Sequence, residues 1–200
     1  MDHSPAGTDL RICVVGDDLV AGVGDPRALG WTGRVAARTE GPGRVTVFAL
    51  GVPGEGTAAL AERTAAETER RYSPSTDNRL VVGLGRGDLA AGTSLARSRL
   101  ALANILDSAR SRSVPCFVVG PPPSGDGARD EAVGELTAGF ADVCARRSVP
   151  FVDCCAPLLT HEQWHADLGT DGLPGQAGYG LLAWLVLHGG WHPWLGLTPP

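Results

Sequence analysis

Ile12-Cys13-Val14-Val15 is a short apolar run that stops abruptly at Gly16-Asp17-Asp18. Three of its four residues are β-branched, and no polar residue interrupts it. Such a run suits a central strand of a parallel sheet, buried on both faces. Four further strand signals follow, over residues 44–50, 80–84, 115–119 and 150–153. Arg-, Ala- and Glu-rich segments of helical length lie between them, at 31–39, 57–71, 94–112 and 130–147, and 178–188 reads as a final helix. Within 130–147, Val133, Leu136, Phe140 and Val143 recur at helical spacing and mark a core-facing stripe. Strand alternating with helix predicts an α/β fold, a parallel sheet covered on both faces. Residues 1–9 are expected to form a disordered tail and 10–200 a single domain, with no internal repeat and no linker between domains.

Composition narrows the function classes. All 17 basic residues are arginine, so Schiff-base chemistry and a phosphate-loop lysine are excluded. The net charge is −5 and no basic run is present, which argues against nucleic acid as a partner. The apolar segment 181–187 is too short to span a membrane, and the polar start carries no signal-peptide pattern. Five cysteines, an odd number, fit a reduced, cytoplasmic protein. Cys154 and Cys155 point to opposite faces if they lie on a strand, and no zinc-ligand spacing occurs, so no metal and no cofactor are expected. An arginine-only basic set with many Ala, Gly and Pro also suggests a GC-rich genome, which is a codon bias and not a function.

The chemistry-bearing residues gather at the strand ends. Gly16-Asp17-Asp18 follows the first run, and Gly51-Val52-Pro53-Gly54-Glu55-Gly56-Thr57 the second. Gly85-Arg86-Gly87-Asp88 follows the third, and Gly120-Pro121-Pro122-Pro123 the fourth. In open α/β sheets, ligands bind outside the carboxyl ends of the strands. Glycine there lets backbone amides approach a ligand, although βα turns also use glycine for their geometry alone. Several such loops, with acidic residues among them, predict a pocket that takes a small molecule.

These strand ends resemble the SGNH, or GDSL-type, hydrolase family, in order and over nearly the whole chain. Gly16-Asp17-Asp18-Leu19 is similar to the first block, Gly-Asp-Ser-Leu, except at the serine. Leu50-Gly51, with Gly54 and Thr57, resembles the second block, whose glycine amide is an oxyanion donor. Gly85-Arg86-Gly87-Asp88 resembles Gly-x-Asn-Asp. Asp171-Gly172-Leu173-Pro174 with Gln176-Ala177-Gly178-Tyr179 resembles the last block, Asp-Gly-x-His-Pro-Asn-x-x-Gly-Tyr. Gly120-Pro121-Pro122-Pro123 and the Trp191–Trp194 segment resemble a bacterial branch. The resemblance implies a three-layer (α/β/α) flavodoxin-like sandwich with a five-stranded parallel sheet.

It also implies a serine nucleophile, a histidine base held by an aspartate, and an oxyanion hole. Here Asp18 stands for the serine and Gly87 for the asparagine. Pro174 stands for the histidine, or Leu173 if one residue is deleted. The Gly51 amide and the Asp171 carboxylate remain. Asp17 and Asp88 match family positions that mostly hydrogen-bond the loops.

Three readings follow. In the first, Asp18 with Asp171 does acid–base or nucleophilic chemistry on a small, specialised metabolite, such as a cyclisation, dehydration or isomerisation. Gly51, Arg86, Gly87 and Asp88 would then line the substrate site, with Arg86 either holding a substrate carboxylate or pairing with an acid. In the second, the chain is a pseudoenzyme that binds a small molecule or a protein. In the third, a rearranged site retains ester hydrolysis, with His165 as a possible replacement base. His165 is otherwise a loop histidine of His161-Glu162-Gln163-Trp164-His165, and His188 and His192 belong to the packing of the C-terminal segment. Trp191 and Trp194, which flank a proline turn, are expected to pack on the chain's own core.

Overall fold

The structure, a computed structural model, describes residues 7–198. The tail expected over residues 1–9 lies mostly outside that range. Asp9 itself is tied down. Its carboxylate accepts the Arg44 N–H at 2.9 Å and its carbonyl accepts the Asp77 N–H at 2.9 Å.

Five strands form one parallel sheet in the order β2-β1-β3-β4-β5. They are β1 (Leu10–Gly16), β2 (Val45–Gly51), β3 (Asp77–Gly83), β4 (Cys116–Val119) and β5 (Phe151–Val152). The register brings Gly16 level with Gly51 on one side and with Gly83 on the other. The chain leaves β1 toward β2 and then crosses back to β3, so the order reverses beside the C-terminal end of β1. Strand β3 begins earlier than its apolar run predicts. Asp77, Asn78 and Arg79 are polar, but they pair with Leu10, Arg11 and Ile12, and Arg79 is held by Asp77 at 2.7 Å. Strand β5 is shorter than expected and pairs only through Phe151 and Val152.

Alternate residues of the strands feed two cores. Leu10, Ile12 and Val14 face a layer that includes Trp31 and Val35 of α2 (Gly30–Ala36) and Tyr179, Leu182 and Val186 of α9 (Gln176–Val186). Cys13, Val15, Leu80 and Val82 face Leu60 of α3 (Thr57–Glu69), Leu102 and Ile105 of α5 (Leu95–Ser111), and Leu136 and Phe140 of α6 (Gly127–Ala145). Period-2 side chains buried on both sides are what an uninterrupted apolar strand demands. All five cysteines are free and buried, and burial pushes the thiols of Cys13 and Cys116 up, Cys13 to about 11.

Short helices that the sequence does not announce sit in the loops: α1 (Asp18–Ala21), α4 (Gly87–Ala90), α7 (Cys155–Leu158) and α8 (Glu162–Asp167). Helix α9 runs into a wide turn at Leu187–Trp191, broken at Gly189 and Gly190 (φ 102°), and then into α10 (His192–Trp194). That break folds the C-terminal segment back on the sheet. Trp191 is buried edge-on to Phe117 with ring centroids 5.6 Å apart, and its indole N–H donates to Thr39 Oγ1 at 2.9 Å. Trp194 lies tilted against Phe117 at 5.1 Å. Both tryptophans thus pack on the chain's own core.

Candidate functional site

The C-terminal ends of β1, β2 and β3 open into a cleft of about 820 Å³. Its wall combines α1, the loop after β2, α4, the first turns of α6 and the loop before α9.

Asp17 caps α1. Its Oδ1 accepts the Leu19 N–H at 3.1 Å. The carboxyl lies so close to the backbone of residue 85 that a Cβ there would fall 1.6 Å from Oδ2. Only glycine fits at Gly85 beside this aspartate. Burial raises the Asp17 carboxyl to about 7, and the charge of Asp18 adds to the rise. The Leu19 amide and the Arg86 guanidinium oppose it without cancelling it.

Asp18 is the first residue of α1 and is half-buried on the cleft wall. Its Oδ2 accepts the backbone N–H of Gly54 at 2.8 Å. Oδ1 makes no hydrogen bond among the described residues. Gly54 has φ 77° in the turn closed by the Glu55 N–H donating to the Val52 carbonyl at 3.2 Å. That loop is anchored from below. Arg63 pairs with Glu55 at 2.6 Å and donates to the carbonyls of Gly16 and Leu50.

The glycine amide at the site is therefore that of Gly54, and the expectation for Gly51 is corrected. Gly51 is the last residue of β2, in register with Gly16, and does not line the cleft. The ladder holds it three residues before Gly54, whose N–H reaches Asp18.

Gly87 opens α4, and its Cα is pressed against the loop after β2. A Cβ at this position would lie 2.3 Å from the Glu55 carbonyl oxygen and 3.0 Å from the Gly56 nitrogen. The space for a side chain is taken by backbone. Asp88 is buried beneath it and binds Thr57 twice, accepting the Thr57 N–H at 2.8 Å and the Thr57 hydroxyl. Asp88 thus fastens the start of α3 to α4 and does not line the cleft.

Arg86 donates from Nη2 to the Gly172 carbonyl at 2.7 Å, which ties α4 to the loop before α9. Its Nη1 is buried and finds no acceptor among the described residues. Of the two expectations for Arg86, pairing with an acid is not what the side chain does. Asp171 lies in the tied loop, lines the cleft, and accepts the Leu173 N–H at 3.0 Å. Leu173 also lines the cleft, whereas Pro174 packs toward Gly24 and Gly178. Beside Asp171, the side chain that this segment presents to the cleft is thus the aliphatic Leu173.

His165 is not brought to Asp18, which corrects its expectation as a replacement base. It sits on α8, where its Nε2 lies 2.8 Å from the Leu159 carbonyl, and it does not line the cleft. His161 caps α8, accepting the Trp164 N–H at 3.4 Å. His188 stacks on Trp184, and His192 is buried beside the Arg38 carbonyl at 3.3 Å. Among the described residues no serine, threonine, cysteine or histidine lines the cleft.

The first turns of α6 were missed by the sequence reading. The expected helix began at residue 130, but Asp126 caps a helix that begins at Gly127, accepting the Arg129 N–H at 3.4 Å. Buried Asp130 accepts the Ser124 N–H at 2.5 Å, the Ser124 hydroxyl at 2.8 Å and the Gly125 N–H at 3.1 Å. This clasp places Asp126, Ala128, Arg129 and Ala132 on the cleft. The Ser124–Asp126 pair was a visible capping signal; nothing local marked Arg129 as a cleft residue.

The sequence profile of the GDSL-like Lipase/Acylhydrolase family matches residues 14–181. No curated protein matches the chain. Among solved structures, the chain is similar to a member of the lipolytic protein G-D-S-L family from Veillonella parvula, with 18% identity over 90% of this chain and 97% of that one and a TM-score of 0.76. It is similar to the lipase/acylhydrolase from Enterococcus faecalis, with 24% identity, coverage of 95% and 98%, and a TM-score of 0.72. It is also similar to an acetylxylan esterase from Geobacillus stearothermophilus, with 14% identity, 98% coverage of both chains and a TM-score of 0.79. At these identities the structural likeness speaks for the fold.

Proposed function

This chain belongs to the GDSL-like lipase/acylhydrolase family, and from that premise we propose that it has exchanged serine chemistry for carboxylate chemistry on a small organic molecule. One observation carries the reading. At the place where the family pattern has a serine, the Asp18 carboxylate is fixed by the Gly54 amide on the wall of an open cleft. A carboxylate held through one oxygen keeps the other for a proton, and Asp18 Oδ1 is that oxygen. Asp171 supplies a second carboxylate from the facing loop. Two acids in one cleft suit a reaction that removes a proton from carbon and returns it, as an isomerisation, dehydration or cyclisation does.

Acyl transfer through Asp18 is disfavoured by the same geometry. It would produce an anhydride with no described histidine on the cleft to activate water.

The test works without the substrate being identified. The native chain and Asp18→Asn are incubated in deuterated water with a panel of small keto and hydroxy compounds, and exchange at carbon is read by NMR. Exchange by the native chain that Asp18→Asn loses supports the reading. A parallel assay uses short-chain nitrophenyl esters. Hydrolysis well above background by the native chain overturns the reading and reveals a hidden nucleophile. A molecule that binds the native chain without exchange or turnover would mark a non-catalytic binding protein instead.

A further inference from the structure

We propose that the cleft takes a small organic acid, whose carboxylate is held by the guanidiniums of Arg86 and Arg129. This rests on the cleft being the functional site and specifies what class of molecule enters it. Arg86 and Arg129 line the same cavity as Asp18. Seven other arginines are ion-paired, but neither of these two is among the ion pairs of the described residues. Arg86 spends one nitrogen on the Gly172 carbonyl and leaves Nη1 buried without an acceptor. A buried guanidinium donor is costly to leave unpaired. Burial pushes the Arg86 guanidinium below its ordinary value, and the charge of Arg129, exposed at the first turn of α6, pushes it the same way, while the charges of Asp17, Asp130 and Asp171 oppose both. Two unpaired guanidiniums kept together beside a cleft are stabilised by an anion between them.

The acids of the cleft do not fill that role. Among the described residues none of Asp18, Asp126 and Asp171 forms an ion pair with Arg86 or Arg129. Asp17 is held near 7 by burial and so carries only part of a charge at neutral pH. The fork of arginine donors matches a planar carboxylate, which it can bind through two parallel hydrogen bonds. An acid so placed would share its cleft with Asp18, whose Oδ1 is left without a partner.

The experiment is calorimetric titration of the native chain at constant ionic strength. The probes are acetate, malonate and benzoate, their neutral counterparts acetamide and benzamide, and inorganic phosphate. Carboxylate binding that the amides lack is expected. Arg129→Gln should weaken it by about tenfold or more, as loss of a charge-assisted hydrogen bond does, and Arg129→Lys should restore part of it. Arg129 is the variant of choice because it is exposed, whereas changing Arg86 also frees the Gly172 loop. Binding that the amides share, that phosphate alone shows, or that Arg129→Gln leaves unchanged overturns the proposal, as does the absence of carboxylate binding. The two readings fail separately. Carboxylate binding without carbon-proton exchange removes the acid–base reaction alone. Exchange on neutral carbonyl compounds without carboxylate binding removes the organic-acid site alone.

Discussion

Asp17 shows how one residue can couple the site to pH. Its carboxyl rises from an ordinary value near 3.8 to about 7 because it is buried against Gly85. The folded chain therefore keeps a proton that the unfolded chain has lost between those values. The proton-linked stability is full below about pH 4 and falls as pH rises through about 7. Asp17→Asn keeps an oxygen for the Leu19 N–H and removes the titration. Chemical denaturation from pH 4 to 8 should show the variant gaining on the native chain as pH rises, by up to about 1.4 kcal/mol per pH unit, and levelling off above 7. A constant difference across that range would show that Asp17 does not titrate there. Gly87 carries a second prediction at this scale. Its missing Cβ would meet the Glu55 carbonyl at 2.3 Å. Gly87→Ala should lower stability by about 1–3 kcal/mol in thermal unfolding. By the same argument, adding Asn at 87 to Asp18→Ser does not rebuild an oxyanion donor, because the loop after β2 occupies its place.

Among the elements, α6 supplies one wall of the cleft through its first turns. Its stripe of Val133, Leu136, Phe140 and Val143 was readable from spacing, and all four are buried. Its N-terminal turns follow from the clasp of Asp130 on Ser124 and Gly125. Asp130→Ala leaves those donors without their acceptor and should cost about 2 kcal/mol or more in denaturant unfolding. It should also weaken carboxylate binding, since Arg129 loses its fixed turn. Unchanged binding in a destabilised variant would show that Arg129 acts independently of the clasp. Helices α1 and α4 escaped the sequence reading because four residues are too few for an apolar period. They exist because Asp17 caps one and Asp88 anchors the other.

Across the whole molecule, the sheet carries a core on each face and the cleft at its C-terminal edge. The α2 and α9 side is sealed by the C-terminal segment, which the break at Gly190 turns back so that Trp191 is buried. Trp184, on the outer side of α9, is 56% exposed and stacks on His188. Trp31, Trp164 and Trp191 are buried, and Trp194 is half-buried against Phe117. Acrylamide should therefore quench one tryptophan component readily, and Trp184→Phe should remove it while changing stability by less than about 0.5 kcal/mol. Persistence of that component would place the exposed indole elsewhere.

What the sequence by itself determined is the layered α/β plan and the edge at which to look. Strands buried on both faces must be nearly pure apolar runs, and their glycine-rich ends must mark where the chain turns over the sheet, so both are local patterns. Which groups meet at that edge is not local. Gly54 and not Gly51 reaches Asp18 because the turn after β2 carries the chain three residues beyond the ladder before bending back. His165 stays away because α8 holds its ring on the Leu159 carbonyl. Arg129 arrives because Asp130 clasps a loop that begins before the expected helix, and Leu173 faces the cleft because Arg86 grips the neighbouring Gly172. Each of these depends on contacts between loops that are distant in the chain, and only the closed tertiary structure decides them.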